Sequence, residues 1–282
     1  MRVDAHQHFW RYDPQRHKWI DDNMSVLKRD FLPDEFVREL GVNQMDASIA
    51  VQVDQSEAET LFLLELADAN PSIAGVVGWV DLRSSAVTER LQYFSQFEKL
   101  RGFRHIVQAE PDDFLARPDF VSGLAALEPF GYTYDVLVYP RQLPAAIRLA
   151  AKLPQHTFVL DHIAKPEIKS GLLHPWRKQI CELAAHPNVF CKLSGLVTEA
   201  HWQNWTPEDF KPYLDVVFEN FGPERLMFGS DWPVCLLAAD YGQVKRLIAD
   251  YVHRNAPDHE NAIFGENAMR CYGLKATRWT CS

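Results

Sequence analysis

ASIAVQVDQSEAETLFLLELADANPSIAGVVGWV, residues 47–80, holds a complete structural unit. Ala47–Val53 and Ile73–Val80 are short β-branched and apolar runs, the composition of buried strands. Between them Ser56-Glu57-Ala58-Glu59 has capping-box spacing, Leu61, Leu64 and Leu66 follow, and Asn70-Pro71 stops the helix. The alternation continues outward in both directions. Strand-like runs recur at Val3–His6, Gly102–Val107, Thr133–Val138, Thr157–Asp161, Val189–Leu193 and Arg225–Gly229, which brings the total to eight. Thr206-Pro207-Glu208-Asp209 starts a further helix, with proline in its first turn, and Gly222-Pro223 ends it.

Eight strand–helix units in 282 residues match an α/β fold of the (β/α)8 TIM-barrel type. A doubly wound open sheet shows the same alternation, but its usual glycine fingerprints, GxGxxG and GxxxxGK[ST], are absent. The expectation is one barrel domain over residues 1–282, with the last ten or so as a tail and the active site at the strand C-termini.

The formal charge of −9, from 38 acidic and 29 basic residues, argues against nucleic acid or a membrane surface as partner. No apolar stretch reaches membrane-spanning length, and Met1-Arg2-Val3-Asp4 opens no signal sequence. Five cysteines without CxxC spacing read as reduced thiols, so the expected location is the cytoplasm. Asn204-Trp205-Thr206 fits a glycosylation acceptor, read here as chance. A homo-oligomer is compatible with the aromatic content.

In a barrel the chemistry sits at strand ends. Strand one ends Asp4-Ala5-His6-Gln7-His8, and alternation lets His6 and His8 converge on a metal or a substrate oxygen. Strand four ends Arg104-His105, strand six Asp161-His162, and strand eight Gly229-Ser230-Asp231-Trp232-Pro233, while strand seven carries Lys192. Each has a structural alternative, such as a hydrogen-bonded core histidine or a loop-capping aspartate. Their joint placement points to one shared site.

His6-Gln7-His8, His162 and Gly229-Ser230-Asp231-Trp232-Pro233 resemble the amidohydrolase superfamily. Asp161-His162-Ile163-Ala164-Lys165-Pro166, Cys191-Lys192-Leu193-Ser194-Gly195 and Ile263-Phe264-Gly265-Glu266-Asn267-Ala268 resemble its sugar-lactone hydrolase branch, with fuconolactonase-like and rhamnonolactonase-like members. The resemblance implies hydrolysis of an aldonolactone, L-fuconolactone or a close stereoisomer, in carbohydrate (L-fucose) catabolism. Asp231 would activate water while His6, His8 and His162 polarise the carbonyl. Arg104, His105, Lys192, Trp10 and Trp232 would contact substrate, and Trp202 follows strand seven. A dicarboxylate lactone would call for more arginines than Arg104, with only Arg11, Arg29 and Arg141 in reserve, so a neutral sugar lactone is preferred.

A fully equipped superfamily member has a bridging lysine or glutamate after strand four and a histidine after strand five. This chain has Arg104-His105 and Thr133-Tyr134-Asp135-Val136-Leu137 there, which argues against a binuclear centre. The expected cofactor is none, or one zinc or manganese ion on His6, His8, His162 and Asp231. The alternatives are a metal-dependent hydrolase or decarboxylase of the superfamily, or a barrel that binds sugar acids without catalysis.

Overall fold

A computed structural model describes residues 1–275. Eight parallel strands lie in sequence order: β1 (Val3–Gln7), β2 (Ala47–Val51), β3 (Ile73–Gly78), β4 (Leu100–Ile106), β5 (Thr133–Leu137), β6 (Phe158–Leu160), β7 (Val189–Leu193) and β8 (Leu226–Phe228). The ring closes between the end of β1 and the segment after β8. Asp231 N–H donates to the His6 carbonyl at 2.8 Å, and His8 N–H to the Trp232 carbonyl at 2.7 Å. Helices follow the strands on the outside, so the architecture is a (β/α)8 barrel.

Local chemistry explains the boundaries. Helix α1 (Glu57–Ala69) starts on Ser56, whose hydroxyl accepts Glu59 N–H at 3.2 Å. The reciprocal half of the expected capping box is missing, because the Glu59 carboxylate turns inward to accept Val53 N–H at 3.3 Å. β6 and β8 are shorter than the sequence pattern, since Asp161 and Gly229 already belong to the loops that build the site. Leu274, which falls within the expected tail, is packed into the core, and residues 276–282, Cys281 included, lie outside the described residues.

The barrel interior has two layers. Val3, Ala5, Ile49, Val51, Val77, Val159 and Met227 fill the lower one, closed from beneath by Tyr272 and Leu274. Above them Asp135, Lys192, Asp161, Arg104 and His6 form a charged layer that is also almost fully buried. A separate apolar cluster packs the outer faces of the strands against the helices. Among the described residues no helix is long and apolar enough to cross a membrane.

Candidate active site

Two short segments carry the reactive groups at the ring's closure. Asp4, fully buried, accepts His6 N–H at 3.1 Å and Ser230 N–H at 2.9 Å, which ties the two loops together. Burial raises Asp4 to about 6, offset in part by its bonds to Ser230 and His6. Asp231 sits in the left-handed region at φ 57°, and Gly229 makes the approach possible, since a Cβ there would lie 2.7 Å from His6 Cβ.

After β6 the backbone of His162, Ile163, Ala164 and Lys165 stays left-handed for four consecutive residues, with φ from 47° to 62°. Each such residue with a Cβ costs about 1–2 kcal/mol, so surrounding contacts must impose the run. One is the Trp176 indole N–H, which donates to the Ile163 carbonyl at 2.7 Å. His162 Nδ1 lies 2.9 Å from Ser194 Oγ, over Gly195 at φ 62°.

The imidazoles and carboxylate converge. His8 Nε2 is 3.1 Å from His6 Nε2 and 3.3 Å from Asp231 Oδ1; His6 Nε2 and His162 Nε2 are 3.8 and 4.0 Å from that oxygen. His8 Nδ1–H donates to the Val51 carbonyl at 2.7 Å, which turns Nε2 toward His6 and Asp231. His6 Nδ1 lies between Lys192 Nζ at 3.1 Å and Asp161 Oδ1 at 3.2 Å, and an Arg104 Nη1 donor lies 3.4 Å from its Nε2.

Two imidazole nitrogens and a carboxylate oxygen facing one another suit a cation or a shared proton. His6, His8 and Asp231 offer ligand atoms within 4.8 Å of one another. Ligands on one tetrahedral zinc at about 2.1 Å would stand roughly 3.4 Å apart, so this donor set fits a single ion. Burial acts to raise Asp231, but His162, His8 and His6 outweigh it and hold the carboxyl well below its ordinary range. Burial lowers His162 to about 4, so its ring is neutral near pH 7.

Above them lies a cavity of about 380 Å³ with His8, His162, Asp231 and Arg104 on its floor and Trp19, Met24, Trp202 and Leu237 in its wall. Arg104 Nη1 pairs with Asp161 at 3.0 Å and Nη2 donates to the Gln52 carbonyl, while its buried Nε–H has no acceptor among the described residues. His6 lies behind His8, out of the cavity.

Other expected contacts are placed elsewhere. Lys192 is sealed inside the barrel, paired with Asp135 and with Asp161 at 3.0 Å, and lies 3.1 Å from His6 Nδ1. His105 points outward because its strand neighbour Arg104 points inward. It stacks on Phe114 and pairs with Glu110 at 3.0 Å. Trp232 is packed among Phe9, Phe31 and Phe36, and Trp10 against Phe31 with its indole N–H on the Arg29 carbonyl. The indoles that do face the cavity are Trp19 and Trp202. Residues given no individual role from sequence are Asp161, Asp135, Lys165 and Glu199; a charged residue inside the apolar run of β5 was the available signal for Asp135.

The family model described as amidohydrolase matches residues 3–274. The L-fucono-1,5-lactonase of Burkholderia multivorans is 45% identical over 286 residues, covering 97% of this chain and 96% of that protein. The L-fucono-1,5-lactonase of Burkholderia ambifaria is 37% identical over 281 residues, with 97% and 96% covered. A crystal structure of a Burkholderia multivorans amidohydrolase with bound zinc superposes with a TM-score of 0.94 at 45% identity, covering 98% of this chain and 100% of that one.

Proposed function

The chain belongs to the amidohydrolase family, and from that membership we propose that it hydrolyses a sugar-acid lactone, L-fucono-1,5-lactone or a close stereoisomer, to the free aldonic acid. It is an enzyme of the carboxylic-ester hydrolase class. The observation that carries the reading is the cavity floor, where the buried Asp231 carboxylate, the His8 and His162 imidazoles and the Arg104 side chain are brought together.

In the proposed reaction Asp231 takes a proton from water as its oxygen attacks the lactone carbonyl carbon. The tetrahedral oxyanion is met by Arg104 Nε–H and by His162 Nε2–H, the latter with Ser194 donating to Nδ1. Collapse breaks the bond to the ring oxygen, and Asp231 returns its proton there, freeing the hydroxy acid. General acid–base work of this kind contributes about 10²–10⁴-fold. A divalent ion, zinc or manganese, would be held by His6, His8 and Asp231 with His162 nearby, and would supply Lewis-acid polarisation and a more acidic water.

Charge matching supports a neutral sugar. Arg104 is balanced by Asp161 at 3.0 Å and Lys165 by Glu199 at 2.7 Å. Arg29 and Arg141 are engaged by Glu35 and Asp112 away from the cavity. A cavity near 380 Å³ is at the small end for ligand sites, roughly 300–1,000 Å³, as a monosaccharide lactone requires.

The test is proton release across a panel of aldonolactones, with Asp231→Asn alongside. The native protein should acidify the medium rapidly and the variant at least a hundredfold more slowly. Near-native turnover by Asp231→Asn would overturn the role of that residue, and silence of the native protein across the panel would overturn the substrate class.

A further inference from the structure

Lys165 and Glu199 face the cavity from different loops, after β6 and after β7. Lys165 Nζ lies 2.7 Å from Glu199 Oε1, and their side chains keep only 17% and 22% of their surface in solvent. The reaction set out above uses neither. A pair serving only to join two loops has no need of the cavity wall, yet both line it. Lys165 reaches this place at the end of the four-residue left-handed run, a backbone course that ordinary loop closure does not require. Beside them Trp202 also lines the cavity, its ring fixed by an indole N–H bond to the Thr198 carbonyl at 3.0 Å.

We propose that Lys165 and Glu199 are specificity-determining residues that recognise neighbouring hydroxyls of the lactone ring, with Trp202 packing on its C–H face. The inference rests on the lactone reading above and names what that site selects for. Each sugar hydroxyl both donates and accepts. An adjacent ammonium and carboxylate therefore match a vicinal diol, the ammonium retaining donors beyond the one given to Glu199 and the carboxylate retaining acceptor positions. A lactone without hydroxyls displaces the water from both charged groups and returns no hydrogen bonds. Sites built to bond a substrate hydroxyl reject analogues lacking it far more strongly than apolar pockets reject a missing methylene.

The experiment compares kcat/KM for L-fucono-1,5-lactone and δ-valerolactone, the same ring without hydroxyls, in the native protein, Lys165→Met and Glu199→Gln. The native protein should favour the sugar lactone at least a hundredfold. Each variant should lose at least tenfold on the sugar lactone, chiefly through KM, and stay within about twofold on δ-valerolactone. Thermal unfolding midpoints establish that both variants fold, and Glu199→Gln, nearly isosteric, serves if Lys165→Met does not. An equal loss on both lactones, or no loss on either, overturns the inference alone. A native protein inert on every lactone overturns the lactone reading and this inference with it.

Discussion

Replacing Lys192 with methionine removes one charge from the interior and strands two of opposite sign. Lys192, Asp135 and Asp161 have no exposed side-chain surface, so water cannot take over the lost contacts. Deleting one partner of a buried ion pair costs about 3–5 kcal/mol. Asp161 retains Arg104 at 3.0 Å, whereas Asp135 is left with only the Tyr272 hydroxyl at 2.9–3.0 Å. Burial already raises Asp135 to about 6 against the pull of Lys192, and without the lysine it rises further. The carboxyl then escapes part of the penalty by binding a proton. A raised folded-state pKa means stability lost as pH rises, so the deficit of Lys192→Met should grow from pH 6 to pH 8. At pH 8 we expect a loss of about 3 kcal/mol, or roughly 6–12 °C in Tm. Thermal and urea unfolding at both pH values measure it. Adding Asp135→Asn, which keeps an acceptor for Tyr272 but removes the stranded charge, should restore more than half. A Tm within 2 °C of native, or a double variant less stable than the single one, would refute the pairing.

Three further outcomes can be checked directly. Gly195→Ala places a Cβ 2.4 Å from His162 Nδ1 at a residue with φ 62°; the ring must shift, and kcat/KM should fall at least tenfold in the proton-release assay. Burial raises Glu59 to about 7 from 4.5, so its ionisation destabilises the fold progressively between those values; Glu59→Gln should be nearly neutral at pH 4.5 and stabilise by up to about 3 kcal/mol at pH 8 in urea titrations. Zinc added to chelator-treated protein at a hundredfold over Kd should stabilise by about 2.7 kcal/mol and bind near one equivalent, and no thermal shift in the native protein would count against the ion.

The sequence made strands easy to find and side-chain direction hard. All eight runs became strands, because β-branched residues bounded by turn signals leave little choice. His6, His8, His162 and Asp231 were legible because each stands at a strand end. Trp10, Trp232 and His105 stand there too, yet face away, since position after a strand does not reveal which side of the pleat a residue occupies. The partners of Lys192 were hidden for another reason. Asp135 on β5 and Lys192 on β7 meet because residues from alternate strands share a layer of a closed barrel, a relation that exists only once register is set. The inward turn of Lys165 depends on a left-handed run that no residue type in Asp161–Lys165 announces.

The charged layer also bears on how many ions the site can hold. A second group of ligand atoms, on His6, Asp161 and His162, falls within the same 4.8 Å as the first. Its carboxylate is already engaged, by Arg104 at 3.0 Å and by Lys192 at 3.0 Å. A divalent ion placed there would face two fixed protein cations in a dry interior, where like charges repel with little screening. The front of His6 is different: its Nε2, His8 Nε2 and Asp231 Oδ1 lie together, and among the described residues no lysine or arginine pairs with that carboxylate. The departures noted in the sequence therefore act together. Strand four supplies Arg104, and strand five supplies Asp135, which holds Lys192 in place. The chain's own cations fill the rear position, which is why the proposed ion is placed in front.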